Sequence, residues 1–119
     1  MVALRLRLLG GFAARESSGR AVIVPGRKNQ ALLAYIAMNA GRPLAREQLI
    51  NLLWSDRGDS HARSSLRQAL FALRRGLASI APSPLAIGGE IIAADASAVS
   101  TDEEKSDAFP ISAPMQALA

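Results

Sequence analysis

The sequence predicts an α+β domain: a small N-terminal antiparallel sheet, three helices, then a C-terminal β-hairpin. Three observations carry that prediction. Leucine and arginine alternate over residues 3–9, the period of a half-buried strand. Apolar residues recur at helical spacing in three separate stretches between Arg27 and Leu77. Leu85-Ala86-Ile87 and Glu90-Ile91-Ile92-Ala93 flank Gly88-Gly89, the pattern of two short strands joined by a turn.

Taken in order, Leu4, Leu6 and Leu8 face one side of the first strand and Arg5 and Arg7 the other. Gly10-Gly11 permits a bend, Phe12 to Arg15 continues the sheet, and Glu16 to Arg20 is a turn. Ala21 to Val24 reads as a further short strand, and Pro25-Gly26 ends the sheet. So small a sheet needs a helix to cover it. Arg27 to Asn39, nearly all apolar after its start, supplies a central helix. Gly41 provides a left-handed end to that helix, and Pro43 prevents its continuation.

Arg46 to Trp54 is a second, short helix with Leu49, Ile50, Leu53 and Trp54 inward. Trp54, closing an apolar run, reads as a core anchor and not as a ring for stacking on a base. Tyr35 reads as core too, with its hydroxyl at a polar edge. Ser55 to Asp59 is a polar connector, and Asp59 or Ser60 is the expected cap of the third helix. Pro82-Ser83-Pro84 breaks the chain before the hairpin. From Ser97 the pattern dissolves into acids and two prolines. The expected division is a domain over residues 1–96 and a disordered tail or truncated linker over 97–119.

At 119 residues the chain has room for a single core. It lacks cysteine, which excludes disulfides, thiolate metal sites and thiol catalysis. His61 is the sole histidine, too little for a metal centre or neutral-pH acid–base chemistry, and it is expected in solvent. Asp56 and Asp59 lack catalytic or ligating partners and suit turns and caps. Gly88-Gly89 is not a nucleotide-binding fingerprint, because no helix follows it. An enzyme is therefore not expected, nor is a cofactor or a metal. Arg5 and Arg7 interrupt the signal-like start, and no run nears the roughly 18 apolar residues of a membrane span. The expected location is the cytoplasm, without a membrane partner.

The net charge of +4 conceals an asymmetry. Residues 1–81 hold 13 basic and four acidic residues, whereas residues 82–119 hold Lys105 against six acids. Twelve of the basic residues are arginine, whose fork matches phosphate. A basic body of this kind suits a polyanion.

The third helix concentrates that chemistry. Leu66, Leu70, Leu73 and Leu77 form an apolar stripe. Arg63, Arg67 and Arg74 share an adjacent flank, with Ser64, Gln68, Phe71 and Arg75 further round. No Glu or Asp occurs from Ser60 to Gly76, although an ordinary solvated face mixes both signs. Arg and Gln are also the side chains that bind guanine and adenine edges bidentately. Two short helices, a longer basic helix and a hairpin spell a winged helix–turn–helix. In that arrangement the third helix enters the major groove of double-stranded DNA and the hairpin approaches the backbone or minor groove. Only five aromatics are present, which argues against a stacking platform for single strands.

Phe71 is an apolar ring on the outward side. It has three possible partners: the hairpin, a thymine methyl or a second protomer; packing under the hairpin is the first expectation. Arg27 and Lys28 begin the first helix, where free backbone N–H groups favour an anion, so a phosphate contact and an ion pair to an acid both fit. The alternative function is a winged-helix protein–protein interaction module without DNA binding. It would turn Phe71 and the arginines toward an acidic partner.

LRLLGGF at 6–12, PGRKNQALLAYIAMNAGRPLAREQL at 25–49 and LLWSDRGDSHARSSLRQALFALRRGL at 52–77 resemble one family. It is the N-terminal DNA-binding domain of the Streptomyces antibiotic regulatory proteins, often joined to a bacterial transcriptional activation domain. The resemblance implies an OmpR/PhoB-like winged helix and sequence-specific transcriptional regulation, with two copies in tandem on direct repeats. It implies a recognition helix from Ala62 to Leu77, with Arg63, Ser64, Arg67, Gln68, Phe71 and Arg74 lining the groove and Arg75 beside them. It further implies a basic entry at Arg27 and Lys28, and a connector, Ser55 to Asp59, able to touch RNA polymerase. Two departures stand out. Ala45 replaces the usual Ser or Thr before the second helix, which costs about 1 kcal/mol of capping. The acidic C-terminal stretch lacks the helical pattern of an activation domain.

Overall fold

The computed structural model describes residues 2–56 and 58–102. Nine elements follow in the order β1 (Leu4–Arg7), β2 (Ala13–Glu16), α1 (Arg27–Met38), β3 (Leu44–Ala45), α2 (Arg46–Leu53), α3 (Asp59–Gly76), β4 (Leu85–Ile87), β5 (Ile91–Ala94) and β6 (Val99–Thr101). They form two three-stranded sheets, ordered β2-β1-β6 and β3-β5-β4. Between them lie the three helices, whose inward leucines and isoleucines merge into one core with Leu4, Leu6, Ile92 and Val99. This is the winged-helix arrangement expected from the order of elements.

The alternation in β1 works as the strand period requires: Leu4 and Leu6 are buried while Arg5 and Arg7 are exposed. β2 pairs with β1 antiparallel. The stretch Ala21 to Val24, expected as a strand, is an extended lead-in with one bridge, from Ala21 to Arg15. Its backbone serves the next helix instead. The Val24 carbonyl accepts from Gln30 Nε2 and the Pro25 carbonyl from Asn29 Nδ2. Val22 and Val24 still bury their side chains, leaving Ile23 exposed.

Residues 97–102 are not tail. Asp95 starts a turn by accepting from both the backbone and the hydroxyl of Ser97. The Ala98 carbonyl then accepts from Ala3 and Leu4, and β6 runs parallel to β1 with Val99 beside Leu4. The Asp102 carboxylate accepts from the backbone N–H groups of Leu8 and Leu9. The N-terminal sheet is therefore mixed, antiparallel on one side of β1 and parallel on the other. Residues 103–119, the remainder of the expected tail, lie outside the described residues.

A second unforeseen strand, β3, adds two residues to the hairpin sheet through Leu44 opposite Ile92 and Ala45 opposite Ile91. It also bears on the missing cap. α2 starts at Arg46 with no side-chain cap, since Ala45 has no oxygen to offer, but ladder pairing holds Ala45 in the extended conformation a cap residue needs. α3 likewise has no side-chain cap. Its N-cap is Gly58, and Asp59, expected as a cap together with Ser60, falls in the first turn, where its charge meets the positive end of the helix. Gly41 adopts the expected left-handed conformation (φ +89°), but it stands two residues past Asn39, which caps α1, and its N–H donates to the Ala94 carbonyl of β5 instead of to the helix.

Candidate nucleic-acid interface

α3 buries Ala62, Leu66, Ala69, Leu70 and Leu73 against α1 and α2. That leaves Arg63, Arg67, Gln68, Phe71, Arg74 and Arg75 exposed, with Ser64 half-buried at the margin. A single helix thus separates its leucines from its arginines, as the period demands.

The hairpin stands beside this face. β4 and β5 pair antiparallel, and the Gly88 N–H donates to the Ile91 carbonyl to close the turn. A groove of about 300 Å³ runs between α3 and the turn, lined by Arg67, Leu70, Phe71 and Arg74 on one side and Ile87, Gly88 and Gly89 on the other, with Arg46. At the base of the hairpin, the Asp95 N–H donates to the Pro84 carbonyl. The Ser97 hydroxyl, and secondarily the Ser97 backbone N–H, hold the Asp95 carboxyl below the ordinary carboxylate range.

Of the residues singled out by sequence, Arg67, Phe71 and Arg74 meet at this groove. Arg67 and Arg74 make no ion pair among the described residues. Phe71 departs from expectation: it lines the groove yet stays 60% exposed, so the hairpin does not cover it. The two glycines of the turn have no side chains to reach it. Its ring is met instead by Arg75, one helical turn on, whose guanidinium carbon lies 5.9 Å from the ring centroid.

Arg63 is differently placed. It forms an ion pair with Glu47 of α2, so an acid missing from α3 itself arrives from the neighbouring helix. The basic pair at the start of α1 also divides. Lys28 Nζ donates to the Leu53 carbonyl at 2.6 Å, lies 5.6 Å from the Trp54 ring centroid and sits 4.0 Å from Asp56. It thereby occupies the negative C-terminal end of α2. Arg27 is exposed and has no ion pair among the described residues. Trp54 is 3% exposed and belongs to the core, while the Tyr35 hydroxyl accepts from Gln48 Nε2 at 3.3 Å. His61 is exposed. Arg57, in the connector, lies outside the described residues.

Sequence reasoning missed Arg46. Its Nε and Nη2 both donate to the Gly88 carbonyl, at 3.2 and 2.8 Å, and its backbone N–H donates to the Glu90 carbonyl. A lone arginine opening a short helix gives no sequence signal of a partner 42 residues away.

A family described as transcriptional regulatory protein, C terminal, matches residues 20–88. The chain belongs to it. The family is the OmpR/PhoB-type winged-helix DNA-binding domain of transcriptional regulators, and it is not a family of enzymes. Among solved structures, the chain is similar to Mycobacterium tuberculosis EmbR, whose structure is in complex with a low-affinity phosphopeptide. The TM-score is 0.67 at 26% identity, over 80% of this chain and 26% of that one. This chain therefore spans about a quarter of the length of that protein. No curated protein matches the chain. Among the described residues, no side-chain cluster is suited to a metal ion, and no helix is long and apolar enough to cross a membrane.

Proposed function

We propose that this chain is a sequence-specific reader of duplex DNA within a cytoplasmic transcriptional regulator, with α3 in the major groove and the β4–β5 wing on the flanking backbone or minor groove. The observation that carries the proposal is the groove joining Arg67, Phe71 and Arg74 to the wing turn, with both arginines free of acid partners. Arg67 and Gln68 are the base readers, because their donor and acceptor geometry matches guanine and adenine edges. Arg74, Arg75 and Arg27 supply phosphate contacts that fix register. Arg63 contributes after releasing Glu47, and Ser64 lies at the margin of the contact. Lys28 is held by α2 and plays a structural part. Tandem binding on direct repeats and a contact of the Ser55 to Asp59 connector with RNA polymerase rest on the family alone.

One observation favours the alternative of a protein-interaction module: a phenylalanine 60% exposed on the presented face. Titration against random duplex DNA at several salt concentrations separates the two. Neutralising four or five phosphates gives a log–log slope near about −4. No binding even at low salt favours the interaction module. Selection from random duplexes then reports the operator, and the spacing of its half-sites reports the number of copies bound.

A further inference from the structure

We infer that Arg46 is a positioning residue that fixes the tip of the wing relative to α3, so that helix and wing engage DNA in one register. The inference rests on the reading of α3 and the wing as a single DNA-contacting surface.

Apart from the Gly88 N–H bond to the Ile91 carbonyl, the wing has little of its own to hold its tip in place. Its turn begins with Gly88-Gly89, residues with wide backbone freedom and no side chains to pack. On the α2 side its sheet is secured by β3, only two residues long. Arg46 follows directly and reaches along the hairpin. Two guanidinium N–H groups converge on the Gly88 carbonyl, and the backbone N–H takes the Glu90 carbonyl. A rigid fork on one acceptor sets both distance and direction, which a single flexible ammonium cannot do. The same side chain lines the groove against Arg67 and Arg74. It therefore sets how far the turn stands from the arginines of α3.

The contacts are separable by mutation. The Arg46 N–H to Glu90 bond and the β3–β5 ladder involve backbone only and survive a side-chain change. Replacing the guanidinium releases the tip without detaching the wing. A second possible role, direct contact of Arg46 with a phosphate, makes a different prediction, because lysine serves a phosphate as a point charge but cannot reproduce the fork.

The test uses the full chain as wild type, Arg46→Lys and Arg46→Ala. Amide relaxation without DNA reads the anchor. Order parameters at Gly88 and Gly89 are expected to fall from near about 0.85 to below about 0.6 in both variants, with α1 to α3 unchanged. Hydroxyl-radical footprinting on the selected duplex reads the positioning. Protection centred on α3 is expected to persist, protection at the wing flank to vanish, and affinity to drop roughly fivefold in both variants, with the salt slope unchanged in Arg46→Lys, which keeps the positive charge.

Rigid glycines in Arg46→Ala overturn the inference, whatever happens to DNA binding. A loosened turn with wing-flank protection intact overturns it as well. Full affinity in Arg46→Lys assigns the residue to charge and not to positioning. If the wild-type chain protects no duplex, the DNA reading itself fails, and with it the role of Arg46 in register. The relaxation data then still decide whether the side chain anchors the turn.

Discussion

Two faces of this domain carry clustered arginines, and only one of them is an exposed helical face beside a wing. On the outward side of β1 and β2, Arg5 stands directly opposite Arg15 in the ladder, with Arg7 one pleat further along. A shallow space of about 210 Å³ lies among Arg5, Leu6, Arg7, Ala13 and Arg15. Like charges facing each other across a ladder are destabilising, and no ion pair relieves them among the described residues. Arg15 does find the Gly19 carbonyl. By charge alone this face rivals α3. By geometry it does not. β1 is flanked by strands on both sides and its sheet is packed on the core, so it presents no isolated ribbon to a groove. α3 offers an exposed helical face of a size the major groove admits, beside a wing. The excess of positive charge over residues 1–81 suits a polyanion without choosing between the two clusters; the shape beneath each separates a helical face from a sheet face.

The sharpest way to break this contrast is to strip each face in turn. Arg67→Ala should cost about 1–3 kcal/mol of specific binding and relax discrimination at one base pair, measured by anisotropy on the selected duplex and its point variants. Joint replacement of Arg67 and Arg74 should cost more. Arg5→Gln, Arg7→Gln and Arg15→Gln in one chain should change the same affinity by less than about twofold, because these side chains lie on the other face and surface charges act weakly beyond a Debye length of about 8–10 Å. Comparable losses from the two sets would show that the sheet also lies on DNA.

Phe71 sharpens the contrast from a different side. The ring is largely in solvent, so Phe71→Ala should leave thermal unfolding within about 0.5 kcal/mol of wild type. Its effect on specific binding should be several-fold, about 1 kcal/mol, and confined to duplexes carrying a thymine at the contacted position. A loss equal across all duplexes would instead point to the Arg75 stack as the element that matters. A change in unfolding midpoint with no change in binding would remove Phe71 from the interface.

How much of this was legible beforehand follows from the range of the interactions. α1, α2 and α3 repeat apolar residues over eight to eighteen positions, long enough for the period to declare a buried side. Trp54 and the Gly88-Gly89 turn are local signals and read correctly. β3 and β6 span two and three residues, too short for any period, and owe their existence to partners far along the chain. The Asp102 carboxylate meets the Leu8 N–H across 94 positions. The same limit governs the candidate site. Periodicity placed Arg63, Arg67 and Arg74 on one flank of one helix, but could not show that α2 lends Arg63 a carboxylate or that Arg46 grips the turn. The sequence offers Lys28 a phosphate or an acid and gives no sign of the Leu53 carbonyl at the C-terminal end of α2, to which it donates. Side-chain pairings between elements decide which arginines are free, and no local pattern records them.

That distinction gives the smallest prediction and the most discriminating one. Arg63 and Glu47 are both more than half exposed, so their pair should stabilise the fold by no more than about 0.2–1 kcal/mol in a double-mutant cycle. In DNA binding the sign reverses. A phosphate reaching Arg63 must displace Glu47, and Glu47 adds a negative charge close to the presented face. Glu47→Gln should therefore tighten binding to random duplex roughly twofold at low salt, and the gain should fade as salt rises. The gain should vanish in Arg63→Gln, where no guanidinium remains to be released. If Glu47→Gln tightens binding equally with and without Arg63, the carboxylate acts by long-range repulsion alone and Arg63 does not touch the duplex. If it weakens binding, the ion pair is positioning Arg63 for its contact, and the pairing across α2 and α3 belongs to the interface itself.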